Sequence, residues 1–120
     1  MKLRIRGNSL RLRLSQSEVT ALVEDGKVED AISFGGPRLV YALHLANDLK
    51  EIGATFVESR ILVAVPGDRG RRWAESDDVG IEHDDGTLRI LVEKDFACLR
   101  PREGEGDEDA FPHPKAERAD

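Results

Sequence analysis

The sequence predicts a mostly β protein with two short helices, folded as a single-chain barrel of two ββαββ repeats. Three observations carry that prediction. Apolar and charged residues alternate in short runs, turn-forming residues separate the runs, and the order of runs in the first half recurs in the second. Side chains of a strand point alternately to its two faces, so a period of two lets one face bury while the other meets water.

Taken in order, residues 2–6 (KLRIR) and 10–14 (LRLRL) alternate apolar with basic side chains, and Gly7-Asn8 between them tolerates positive φ, which makes a hairpin. Ser15 followed three residues later by Glu18 has the form of a capping box, Val19, Leu22 and Val23 recur at helical spacing, and Gly26 stands where a left-handed residue would stop a helix. Residues 28–34 and 39–45 read as two strands joined by Gly35-Gly36-Pro37. The second half follows the same order: a hairpin of residues 54–58 and 60–65, a short helix over 68–76 with Trp73, and strands 79–83 and 87–92 around Asp84-Asp85-Gly86. A shift of 51 residues places Leu3 on Ala54, Ile5 on Phe56, Leu14 on Val65, Leu22 on Trp73 and Val28 on Val79. With two residues deleted near the glycines, Leu39, Tyr41 and Leu43 fall on Leu88, Ile90 and Val92.

One ββαββ unit is too small to close a core, so each half is expected to cover the other, with Leu3, Ile5, Leu10, Leu12, Leu14, Tyr41 and Trp73 inside. A chain of 120 residues has room for one such domain, expected over residues 1–99 with halves at about 1–45 and 52–95. Residues 100–120 hold almost no aliphatic side chains and many acids, glycines and prolines, so they are expected to form a disordered acidic tail. The single cysteine, Cys98, excludes an internal disulfide framework. No apolar run approaches the roughly 20 residues a bilayer-spanning helix needs, and the N-terminus interleaves charge with leucine where a signal peptide would be continuously apolar. The expected setting is therefore cytoplasmic, away from membranes.

No catalytic constellation emerges. His44 and His83 fall on separate strands with no motif linking either to a nucleophile, the spacing of Cys98 and His113 matches no zinc pattern, and the glycine turns lack a phosphate-loop ending. Neither enzyme activity, metal nor cofactor is expected. What the sequence offers is charge: Lys2, Arg4, Arg6, Arg11 and Arg13 share one strand face, and no acid occurs in residues 1–15 of a chain whose net charge is −6. Like charges on paired strands repel, so something negative should lie near. The chain's own Glu58, Glu82, Glu93 and Asp95 are one source, a phosphate backbone is a second, and the tail segment EGEGDEDAF is a third. A smaller basic group, Arg69, Arg71 and Arg72, precedes Glu75, Asp77 and Asp78 and reads as a solvated helix face. Phe111, Pro112 and His113, an aromatic between an acidic run and prolines, have the form of a short linear ligand for a protein partner.

The stretch GNSLRLRLSQSEVTALVEDGKVEDAISF resembles the swapped-hairpin DNA-binding domain of AbrB-type regulators and MazE-type antitoxins, and VPGDRGRRWAESDDVGIEHDDGTLRILVEK resembles the same unit from its second strand onward. The resemblance implies a built-in pseudo-dimer over residues 1–95 whose hairpins interleave, with DNA contacted by Asn8 and Arg13 and by Arg4 and Arg6 on the preceding strand. The second half departs from the pattern, with Glu58, Ser59 and Ala64 in place of the glycine, asparagine and arginine. The chain as a whole, with EKDFACL followed by an acidic spacer and FPHP, also resembles a group of small uncharacterised bacterial proteins. The expectation is a non-catalytic binding module, a DNA-binding or antitoxin-like regulator using Arg4, Arg6, Asn8, Arg11 and Arg13. The alternative is a protein–protein interaction module acting through the acidic second half and the FPHP tail, without nucleic acid.

Overall fold

The computed structural model describes residues 1–95. Its elements run β1 (Lys2–Arg6), β2 (Ser9–Leu14), α1 (Gln16–Asp25), β3 (Lys27–Ser33), β4 (Arg38–Ala46), β5 (Gly53–Val57), β6 (Arg60–Pro66), α2 (Gly67–Glu75), β7 (Gly80–Asp84) and β8 (Arg89–Lys94). The protein is mostly β with two helices, and its strands form two four-stranded sheets of order β1-β2-β8-β7 and β3-β4-β6-β5. The expected barrel is not what these strands make. Among the described residues β1, β7, β3 and β5 each pair on one side only, so no ladder of main-chain hydrogen bonds joins one sheet to the other.

Each sheet takes one hairpin from each half of the chain. Within a sheet the two hairpins meet through a parallel central pair, β2 with β8 and β4 with β6. The registers repeat between the sheets. The pairs Lys2↔Arg13 and Leu3↔Leu12 of the first hairpin become Gly53↔Ala64 and Ala54↔Val63 of the third, a shift of 51 residues. Likewise the Arg89 amide donates to the Asn8 carbonyl at 3.1 Å, and the Val40 amide to the Ser59 carbonyl at 3.1 Å. One sequence alignment is corrected by the registers: Val28 pairs with Leu43, and the residue placed likewise against Val92 is Ile81, not Val79. Residues 76–79 lengthen the link from α2 to β7, whereas α1 passes through Gly26 directly into β3. Val79 is left 54% exposed.

Local chemistry explains the helix after β2. Ser15 accepts from the Glu18 amide, the Glu18 carboxylate accepts from the Ser15 amide at 2.8 Å, and Gly26 ends the helix at φ 81° with its amide donating to the Leu22 carbonyl. The second helix starts on Pro66 with no side-chain cap. It lies close against the sheet at Gly70, where a Cβ would overlap Leu45. The core lies between the sheets and under both helices: Leu12, Leu14, Leu22, Leu43, Val63, Val65, Trp73, Ile90 and Val92 are all buried. Trp73 also donates from its indole Nε1 to the Val79 carbonyl at 3.1 Å. Tyr41 is half-buried, its hydroxyl donating to the Met1 carbonyl at 3.2 Å. Ile5 departs from expectation. It has the inward parity of Leu3 but stands near the hairpin turn of an edge strand and is 60% exposed; Phe56, at the matching place on β5, is exposed likewise, at 68%.

Candidate functional site

The registers lay the outer face of the first sheet in three rows: Lys2, Arg13, Glu93, Gly80; Arg4, Arg11, Leu91, Glu82; and Arg6, Ser9, Arg89, Asp84. Five basic side chains occupy the β1–β2 end, and the acids Glu82 and Asp84 occupy the β7 end. Arg4 lies directly opposite Arg11, and Lys2 opposite Arg13, arrangements that cost a few tenths to about 1 kcal/mol per pair unless a counter-charge intervenes. Glu93 supplies one: its Oε1 lies 3.4 Å from Arg13 Nε and 3.6 Å from Arg11 Nε. Asp95 takes Lys2 at 2.9 Å. Glu82, a third expected partner, instead pairs with Arg89 at 2.7 Å on its own hairpin, and Glu58 lies in the turn of the other sheet.

Arg4 and Arg6 are different. Both are exposed, and neither has an ion-pair partner among the described residues. They form the outer corner of the cationic face, with Arg11 and Arg13 half-buried behind them. Asn8, expected to join them, is occupied structurally, because its side-chain amide donates to the Thr87 carbonyl and so ties the first hairpin turn to the turn between β7 and β8. That second turn is held from within by Asp85, whose Oδ1 accepts from the Leu88 and Thr87 amides at 2.8 Å each. These bonds stabilise the carboxylate and keep its pKa below the ordinary value. Arg69 turns from the basic helix group to the Glu82 carbonyl at 3.3 Å. Arg89 was missed as a member of the face, although the alternation in RILVEK carries it there. Phe111, Pro112, His113 and Cys98 lie outside the described residues.

The second sheet presents another surface. Its rows are Gly53, Ala64, His44, Lys27; Thr55, Leu62, Ala42, Glu29; and Val57, Arg60, Val40, Ala31. Every basic position of β1 and β2 is replaced by a neutral one, and Arg60 pairs with Glu29 across the sheet. Beside β5 a shallow apolar groove of about 320 Å³ is lined by Leu10, Ala54, Thr55, Phe56, Ile61 and Leu88. His44 Nε2 is buried with no hydrogen-bond partner among the described residues, and desolvation, reinforced by Lys27 and Arg60, holds the imidazole pKa below 6.5. His44 and His83 are in different sheets, so no acid–base pair forms between them. No described helix is long and apolar enough to cross a membrane.

Fold and site together define a small two-sheet protein with one cationic sheet face and one nearly neutral one. No curated protein and no solved structure matches the chain. The chain belongs to the family of unknown function DUF7009, whose profile matches residues 1–115.

Proposed function

We propose that this protein is a non-catalytic binding module, a single-chain regulator of the swapped-hairpin kind, that takes a polyanion, DNA foremost, on the β1–β2 end of its first sheet. The observation that carries this reading is the pair Arg4 and Arg6, exposed and without ionic partners in the described residues, backed by Arg11 and Arg13. Guanidinium groups bind phosphate bidentately, and the hairpin holds four of them on two paired strands, spread over three adjacent rows. Each sheet is assembled from one hairpin of each half, so both halves contribute to the sheet that carries the basic face. Because the matching positions of the other sheet are Thr55, Val57, Leu62 and Ala64, the contact is one-sided. A two-fold operator would be read only at one half-site.

The test is retention of duplex DNA by the full chain at low salt. Replacing Arg4, Arg6 and Arg13 with glutamine should abolish it, and each lost phosphate contact should lower the salt dependence by about one unit of slope. Unchanged retention would remove the reading. A protein-interaction role without nucleic acid is the second reading, supported by β5, an edge strand with no charged residue whose Phe56 and Val57 are exposed beside the apolar groove. Partner binding on that edge would survive the arginine replacements and be blocked by Thr55→Lys.

A further inference from the structure

We propose that two copies of this chain associate edge to edge through β5, antiparallel and about a two-fold axis at Thr55, joining their second sheets into one. The proposal rests on the second reading above, of β5 as an interaction edge, and names the partner as a second copy; it does not depend on the polyanion reading.

The edge strands among the described residues, β1, β3, β5 and β7, differ in what each would set against a copy of itself. Each has an odd number of residues, so full antiparallel overlap of a strand with its own copy places the middle residue on the two-fold axis, opposite itself. That residue is Arg4 in β1, Asp30 in β3 and Glu82 in β7, so each of these edges would bring two like charges together, which opposes pairing. In β5 it is Thr55, exposed and uncharged, and two threonines so placed can hydrogen-bond to each other. Charge therefore leaves β5 as the edge of these four that is open to a second copy.

Main-chain bonding and side-chain size select the same register. β5 and β6 are joined by Glu58 and Ser59 alone, so the flanking pair Val57 and Arg60 is hydrogen-bonded, and bonded pairs alternate with open ones along a hairpin. Gly53, Thr55 and Val57 thus bond to β6, while Ala54 and Phe56 turn their amides and carbonyls to the free edge. Overlap centred on Thr55 sets Ala54 of each copy against Phe56 of the other, a pairing in which both N–H···O bonds are exchanged. It also sets Gly53 against Val57. The two large side chains, Phe56 at 68% and Val57 at 61% exposed, each meet a small one. A Cβ on Gly53 would touch nothing within 4 Å, which leaves room for Val57. Beside Ala54 lies the apolar groove with Leu10, Ile61 and Leu88 in its walls, and Phe56 of the other copy enters it there. β1 lacks this fit, because Leu3 and Ile5 stand where Ala54 and Phe56 stand on β5. A two-fold contact closes on itself, so assembly stops at two chains, and the pair carries two β1–β2 faces where the chain carries one.

Sedimentation equilibrium of the full-length protein tests the association. The parent should approach twice the mass of one chain as concentration rises, and Thr55→Lys, Thr55→Glu and Phe56→Ala should each raise the dissociation constant at least about tenfold, because the axis counts every replacement twice. Thr55 and Phe56 are exposed, so circular dichroism should show all three variants folded. An equimolar mixture of T55K with T55E should recover the dimer, a result that a misfolded variant cannot give. Amide exchange in β5 should slow as the parent is concentrated while β1, the corresponding edge of the other sheet, stays unchanged. A parent still monomeric at about 1 mM, or a dimer indifferent to all three replacements, would overturn the proposal. Protection of β5 that does not change with concentration would also overturn it, by placing another part of the same chain on the edge. A monomeric parent whose β5 edge binds a different protein, with T55K abolishing that binding, overturns self-association and leaves the second reading standing. The dimer should persist when Arg4, Arg6 and Arg13 are replaced with glutamine, so the polyanion reading stands or falls on its own test.

Discussion

Lys2, Arg4 and Arg6 on β1 stand where Gly53, Thr55 and Val57 stand on β5, and Arg11 and Arg13 where Leu62 and Ala64 stand on β6. The backbone registers of the two hairpins correspond pair for pair, and each hairpin buries its inner row against the same core. The turns and helices that follow differ as well. Gly7 takes the positive φ of the first turn alone, at 54°, while Glu58 and Ser59 both adopt it, at 52° and 61°, in the second. The first helix has a capping box and the second has none. A shared inner row is therefore enough to hold the shared architecture, and the outer rows are free to diverge into a charged face and a neutral one.

The inner rows give the largest expected effect. Leu12 and Val63 occupy matching places and are both fully buried. Leu12→Ala should cost about 2 to 5 kcal/mol in urea unfolding, with Val63→Ala costing less because fewer atoms are removed. A mild effect at Leu12 would mean that the first hairpin is not bound to the core in the way the third is. Next comes the outer row. Installing Thr55→Arg, Leu62→Arg and Ala64→Arg together should add a second anion site and raise affinity for duplex DNA about tenfold at low salt, an increase that about 0.5 M salt removes. An unchanged affinity would mean that more than outward arginines distinguishes the two faces.

The turns sharpen the comparison further. Two consecutive positive φ values suit Asn-Gly, so Glu58→Asn with Ser59→Gly should stabilise the protein by about 1 kcal/mol, while Gly7→Ala should destabilise it by a similar amount. Thermal unfolding of the variants would expose any error in sign. Titration gives the smallest effect. Burial raises the pKa of Glu18, but hydrogen bonds from the N-terminal ammonium and the Ser15 amide, together with the ammonium charge, outweigh it and leave the value below 4.5. The unfolded chain then binds the extra proton first, so this contribution is complete above 4.5 and lost as pH falls through the folded value. Glu18→Gln should flatten that part of an acid unfolding curve. The depressed His44 pKa acts on the same principle nearer neutrality, with stability falling as pH drops below 6.5, and His44→Gln should remove that dependence.

Much of this molecule is legible in residue order. Ser15 and Glu18 announce the first helix and Gly26 its end, because capping is a contact among neighbours in sequence. The alternation in KLRIR and LRLRL predicts the face to which Arg4, Arg6, Arg11 and Arg13 belong, and the pleat obeys it. Other features escape. Glu58-Ser59 carries no signature of a turn with two positive φ values; the surrounding ladder imposes it. Asn8 looks like a contact residue until Thr87 is placed beside it, a neighbour 79 positions away. Residues 76–79 hide the true partner of Val28, since an insertion of unknown length defeats alignment by a constant shift.

By itself, the sequence determined the element types, their order, the inward and outward rows and the concentration of positive charge on the first hairpin, all of which follow from local propensity and side-chain alternation. Only the tertiary structure decided which hairpins share a sheet, that the sheets remain two, that Ile5 and Phe56 stay exposed, and that Glu93 and Asp95 answer some of the basic residues while Arg4 and Arg6 stand without ionic partners among the described residues. Those outcomes depend on parallel pairings such as β2 with β8, made between segments some 80 residues apart. No local rule carries information over that distance; the shared core does.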